Sequence, residues 1–157
     1  QTLKYSSFNI TSEFLKICSN MQKLLSKEGY HIEFEFDREV TLKADMTKIC
    51  QAFYNLLVNA VNYTGDDKKV FIQQIIDKDE VIFKITDTGK GISKENIKYI
   101  WDRYYKIDKT HKRAVTGTGL GLSIVKSIVL LHGGQYGVIS EENKGSTFWF
   151  SLKIVSP

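Results

Sequence analysis

Two strand-like apolar runs, KVFIQQII at 69–76 and EVIFKITD at 80–87, are separated only by Asp77-Lys78-Asp79. A connection that short closes a β-hairpin, whereas parallel neighbours need a crossover of about a dozen residues or more. A purely parallel, doubly wound sheet is therefore disfavoured. The other elements alternate around this hairpin. Residues 12–28 read as an amphipathic helix carrying Phe14, Leu15, Ile17, Cys18, Met21, Leu24 and Leu25, closed by Gly29. HIEFEF at 31–36 and VTLKA at 40–44 read as strands, and Asp45 caps a long helix that ends near Thr64-Gly65. Ser93 opens a short helix to about Arg103, and a basic stretch follows to Gly117. A further helix runs from about Gly119 to His132, stopped by Gly133-Gly134. Strands at 135–140 and 146–154 complete the order α, β, β, α, β, β, α, α, β, β. The expected fold is an α+β two-layer sandwich, with a mixed, mostly antiparallel sheet covered on one face by helices.

Bulk properties narrow the function classes. A length of 157 residues, 42% hydrophobic and 25% charged, suits a single globular domain. The chain begins with Gln1 rather than Met and is expected to be a fragment of something longer. No apolar run approaches the ~20 residues of a spanning helix, and no signal peptide opens the chain. The net charge of +4 permits an anionic ligand, but no basic block points to nucleic acid. Cys18 and Cys50 fall at apolar helix positions and read as reduced buried thiols, which favours a cytoplasmic setting. His31, His111 and His132 share no metal-ligand spacing.

The helix at 45–64 carries an unusual polar face. Ile49, Phe53, Leu56, Leu57 and Ala60 fall on one side, and Gln51, Asn55, Asn59 and Asn62 gather on the other. A solvated face would normally carry charge, yet none occurs between Ile49 and Tyr63. Asparagine is also a poor helix former, by roughly 0.5 kcal/mol against Ala. A carboxamide offers a carbonyl oxygen to a hard cation and an NH₂ to phosphate, without acting as a strong base.

Two glycine clusters follow. Asp87 ends a strand and Thr88-Gly89-Lys90-Gly91 turns the chain, which a plain strand–turn–helix connection would also need. On the functional reading, the missing side chains let a flat ring approach and Asp87 accepts from its exocyclic amine, which selects adenine over guanine. Gly117-Thr118-Gly119-Leu120-Gly121 precedes a helix whose N-terminal amides attract phosphate. It matches neither the Walker A nor the dinucleotide spacing, and Lys106, Lys109, Lys112 and Arg113 crowd the segment before it.

In these motifs the chain resembles the catalytic, ATP-binding domain of sensor histidine kinases, a branch of the Bergerat-fold (GHKL) superfamily. QAFYNLLVNAVNYT is similar to the asparagine box, DTGKGIS to the first glycine box, IWDRYYKID to the aromatic box, and GTGLGLSIVKSIVLLHGG to the second glycine box. GSTFWFSL is similar to the closing strand. The resemblance implies ATP and Mg²⁺ as ligands, with Asn59 on the metal and Asn55 on the phosphates. It places Tyr63 near the adenine, Asp87 on its amine, and Gly89, Gly91 and Ile92 around it, with Thr147 close to the base. Arg103 and Lys106 would bring positive charge to the phosphates. Gly117, Thr118, Gly119, Leu120, Gly121 and Leu122 would form the hinge of the ATP lid.

Three departures stand out. Asn62 occupies a position where Lys or Arg is usual, Trp101 and Tyr104 stand where phenylalanine is usual, and Thr116 replaces a common glycine. Related gyrase, mismatch-repair and chaperone ATPases carry a water-activating glutamate where this chain has Asn55. The resemblance therefore implies slow hydrolysis and a γ-phosphate kept for a separate acceptor. No histidine here has the acidic neighbour of a phosphoacceptor, so that acceptor belongs on a separate dimerisation domain, with a response regulator downstream. The parent is expected to be a membrane-bound homodimer with this domain on its cytoplasmic side. A non-catalytic ATP sensor and a serine-directed kinase resembling anti-sigma-factor kinases remain alternatives.

Overall fold

The computed structural model describes residues 2–102 and 121–154. The hairpin forms between β4 (Lys69–Asp77) and β5 (Glu80–Asp87), which pair antiparallel from Val70↔Asp87 to Asp77↔Glu80. Its turn is tighter than the sequence implied, because Asp77 and Glu80 themselves pair and leave only Lys78 and Asp79 as the loop. Lys78 takes φ 56°, the left-handed backbone that a two-residue hairpin requires.

The remaining strands extend this pair. β7 (Ser146–Lys153) lies antiparallel to β5, β6 (Gln135–Ser140) antiparallel to β7, and β2 (His31–Glu35) parallel to β4. The order is β2-β4-β5-β7-β6, a mixed and mostly antiparallel sheet. A second, two-stranded sheet pairs β3 (Thr41–Ala44) with β1 (Ser6–Asn9). The sequence reading missed β1, since SSFN shows neither alternation nor β-branched residues.

Helices cover one face of the large sheet. On β5, Val81, Phe83, Ile85 and Asp87 are buried while the intervening Ile82, Lys84 and Thr86 are partly exposed. Above them lie α1 (Ile10–Leu25), α2 (Met46–Tyr63) and α4 (Gly121–Leu131). Aromatic packing ties these layers together. The Phe14 ring stacks on Phe53 at 3.9 Å between centroids and meets Phe83 edge-on at 4.7 Å, so α1, α2 and the sheet share one contact. α1 starts two residues earlier than expected, with Asn9 accepting from the Ser12 amide as its cap, and gives way to a 3₁₀ turn at Ser26–Glu28. The helix expected from Ser93 to Arg103 is a single turn, α3 (Lys94–Ile97). Beyond it the bonds tighten to Tyr99 N–H with Asn96 and Asp102 N–H with Tyr99.

α2 is anchored at its start from three directions. Asp45 accepts from the Lys48 amide at 3.2 Å and the Lys4 amide at 3.0 Å, and its own N–H donates to His132 Nε2 at 3.0 Å. The Lys4 bond is the largest influence holding the Asp45 carboxyl below its usual range. His132 Nδ1 lies 2.8 Å from the Ile128 carbonyl, so Nδ1 carries the proton and the ring is structural. His31 is exposed beside Glu33. Cys18 and Cys50 are both free, with burial pushing the thiols up to about 12 and about 11. Among the described residues, no helix is long and apolar enough to cross a membrane.

Candidate functional site

A cavity of about 410 Å³ opens where the last turns of α2, the turn after β5 and the β6–β7 turn meet. Asn59 and Tyr63, one helical turn apart on α2, line one side. Asp87, Gly89, Gly91 and Ile92 line the floor, and Asn143, Ser146 and Phe148 the far wall.

Asp87 dominates the electrostatics. It closes β5 on the covered face of the sheet and is 3% exposed. Burial pushes its carboxyl up to about 6, against the pull of the Gly89 and Ser146 backbone N–H groups. The Gly89 amide donates to Oδ1 at 2.8 Å and fixes the direction of the carboxylate. A buried carboxylate facing a cavity beside a partly buried aromatic and apolar walls suits a flat, amine-bearing heterocycle.

The glycines have a more specific duty than the sequence suggested. A Cβ on Gly89 would stand 1.9 Å from the Tyr63 carbonyl oxygen, and one on Gly91 2.0 Å from the Glu141 carbonyl oxygen. The atoms they admit are protein backbone: α2's last residue in one case and the β6–β7 turn in the other. Gly145 completes the pattern, since a Cβ there would lie 2.2 Å from the Asp87 carbonyl oxygen.

The asparagine stripe is graded along α2. Gln51 is exposed, Asn55 and Asn59 are partly buried, and Asn62 is buried at 6% exposure. Asn55 is not on the cavity wall; its Nδ2 donates to the carbonyl of Gly121, the first described residue of α4, at 3.4 Å. Leu122 packs at the edge of the core. Thr147 lies on the other face of β7, 2.9 Å from the Thr86 hydroxyl, so strand alternation gives its neighbours Ser146 and Phe148 to the cavity. Sequence reasoning missed Ser146, Phe148 and Asn143. The first two were within reach from the alternation of STFWF, but Asn143, at φ 66° in a turn, left no signal. Trp101 sits edge-on to Phe148 at 5.7 Å and braces that wall from behind. Arg103, Lys106, Gly117, Thr118, Gly119 and Leu120 lie outside the described residues.

The sequence model described as histidine kinase-, DNA gyrase B-, and HSP90-like ATPase matches residues 44–156. The chain belongs to this family. The match runs from the start of α2 to the end of β7 and so contains every wall of the cavity of this histidine kinase-, DNA gyrase B- and HSP90-like ATPase domain. The signal transduction histidine-protein kinase ArlS of Staphylococcus aureus (strain USA300) is 35% identical over 131 residues, covering 80% of this chain. The chain spans 29% of the length of ArlS. The nucleotide-free catalytic domain of the histidine kinase ThkA superposes with a TM-score of 0.85 at 27% identity, covering 98% of this chain and 97% of that one. Full-length ShkA in complex with AMPPNP gives a TM-score of 0.85 at 25% identity, covering all of this chain (100%) and 32% of ShkA. The mixed sheet under one layer of helices is thus the fold of histidine kinase catalytic domains.

Proposed function

We propose that this ATPase-family domain binds Mg-ATP in the cavity beside Asp87 and donates the γ-phosphoryl group to a histidine on a separate dimerisation domain. The buried Asp87 carboxylate, aimed by the Gly89 amide into the cavity, carries the reading. Adenine offers it an N–H donor where guanine offers a carbonyl, so GTP would bring two acceptors together. Tyr63 and Ile92 would flank the base, and Asn59 faces the same space one turn back along α2.

The residues present fit magnesium. Mg²⁺ takes oxygen ligands, keeps several waters and draws on substrate phosphates, so it needs few protein groups. Among the described residues no cluster of three acidic, histidine or cysteine side chains exists, and Asn59 Oδ1 would be the protein ligand. When bound, the ion supplies charge neutralisation to the phosphates. Asn55 would sit beside them, and its neutral amide cannot take a proton from water. Hydrolysis would be slow for that reason. Arg103 and Lys106 would add positive charge, and Gly117 to Leu122 would serve as the hinge of the ATP lid. Asn62 leaves this charge set one cation poorer than is usual.

The parent would be a membrane-bound homodimer of two-component signalling, with this domain on the cytoplasmic side and a response regulator receiving the phosphoryl group. Mixing the domain with its parent's dimerisation domain and γ-labelled ATP should place acid-labile label on that partner. Acid-stable label would favour serine transfer. No label, with ATP bound, would favour a nucleotide sensor that only changes its docking. A second expected result concerns Asn59→Ala: magnesium should no longer strengthen ATP binding, a loss of about tenfold. Binding measured in EDTA should stay as it was. An undiminished magnesium effect in that variant removes Asn59 from the metal.

A further inference from the structure

The loop between α2 and β4, residues 64–68, lies against the turn that follows Asp87. A closed set of hydrogen bonds holds it there. Thr88 Oγ1 donates to Asp67 Oδ1 at 2.5 Å, the Lys69 amide donates to the same oxygen at 3.1 Å, and the Gly65 amide reaches Thr88 Oγ1 at 3.3 Å. From the other side, the Thr88 amide donates to Thr64 Oγ1 at 3.2 Å, and Thr64 Oγ1 donates to the Lys69 carbonyl.

The direction of this set follows from its one charged member. A carboxylate only accepts, so Asp67 takes the single hydroxyl proton of Thr88. The Thr88 oxygen is then left as an acceptor for the Gly65 amide. The Thr64 proton goes to Lys69, and its oxygen accepts from Thr88. The two hydroxyls approach to 3.1 Å with both protons already committed elsewhere. Two further observations show how tightly the loop is drawn in. A Cβ on Gly65 would stand 2.5 Å from the Thr88 carbonyl oxygen. Lys68, next to Asp67, is held at φ 55°, a left-handed backbone that a non-glycine residue keeps only when its surroundings impose it. Thr88 itself stands between Asp87 and Gly89, whose amide aims the Asp87 carboxylate.

We infer that Asp67 is a positioning residue for base recognition, acting through Thr88 to hold the turn that points Asp87 at the adenine amine. The inference rests on the reading of Asp87 as the adenine acceptor. Asp67 touches no ligand in this scheme. Its exposed carboxylate, kept below the usual range chiefly by the Thr88 hydroxyl, stays ionised and keeps the set running in one direction at neutral pH.

Calorimetric titration of ATP and of GTP separates this from a general structural role. Asp67→Ala should lower ATP affinity about tenfold and leave the weaker GTP affinity as it is, so the preference for adenine narrows by the same factor. Thr88→Val should behave alike, and the double variant should lose no more than Thr88→Val alone, because both changes break one path. Thermal midpoints of the variants serve as the control for folding. Equal losses for ATP and GTP, or an additive double variant, would overturn the inference while leaving the Asp87 reading intact. A wild-type protein with no preference for ATP over GTP overturns both, and that result is visible before any variant is made.

Discussion

Replacing Asp87 by asparagine should weaken ATP binding by about ten- to a hundredfold, the loss expected when one buried charged acceptor disappears. The same change should act on stability in a pH-dependent way. The Asp87 carboxyl is raised to about 6 from an ordinary value of 3.8, so the folded protein holds its proton more tightly than the unfolded chain does. The resulting stabilisation is fully present below the unfolded value and is lost as pH rises through the folded value. It amounts to roughly 3 kcal/mol across that window. Wild-type stability should therefore fall between pH 4 and 6 by an amount that Asp87→Asn does not share. Asp45 and Asp67, both shifted downwards, act in the opposite sense and at lower pH. Paired urea titrations at several pH values, with nucleotide titrations alongside, check both halves. Unchanged ATP affinity in Asp87→Asn would dispose of the adenine assignment, and parallel pH curves would dispose of the buried charge.

Gly89→Ala should have a large structural effect for a single added methyl. The new carbon would stand 1.9 Å from the Tyr63 carbonyl oxygen and 3.0 Å from Asp87 Oδ1. Neither neighbour yields easily. Tyr63 is the last residue of α2, and the next amide, that of Thr64, is bonded back to Ala60. The Asp87 carboxylate is itself held by the Gly89 amide at 2.8 Å. A loss of about 3 kcal/mol or more is expected from the overlap, with ATP binding reduced beyond a hundredfold at temperatures where the fold persists. Gly133→Ala makes a useful comparison, since Gly133 has φ 71° and nothing within 4 Å of the added carbon. Only backbone strain acts there, about 1 kcal/mol, and ATP affinity should not change. If Gly89→Ala proved as mild as Gly133→Ala in denaturant melts, the close contact with Tyr63 would not exist in solution.

Much of this architecture was legible because it rests on short-range signals. The hairpin followed from two strands with almost nothing between them, and Asp45 announced α2 as a cap before an apolar-periodic run. Asp87 and the glycines around it were legible as a strand end and its turn, but not the backbone neighbours, Tyr63 and Glu141, that those glycines admit. What escaped was set by distant partners. β1 exists because β3 offers it a pairing edge, which SSFN does not advertise. Thr147 and Ser146 differ by one position, and only the observed register decides which of them faces the cavity. The asparagines looked equivalent on a helical projection, yet α4 covers Asn55 while Asn62 is buried and Asn59 is left at the opening. A projection carries angle around a helix but no knowledge of what lies over it.

Backbone pressed on backbone at Gly89, Gly91 and Gly145 has a thermodynamic corollary. Three chain segments that meet without side chains between them have no rotamers to lose, so this wall of the cavity is already in its final shape before anything enters. A guest that fits it surrenders its own freedom but need not tame the host's on that side, and its grip is stronger for it.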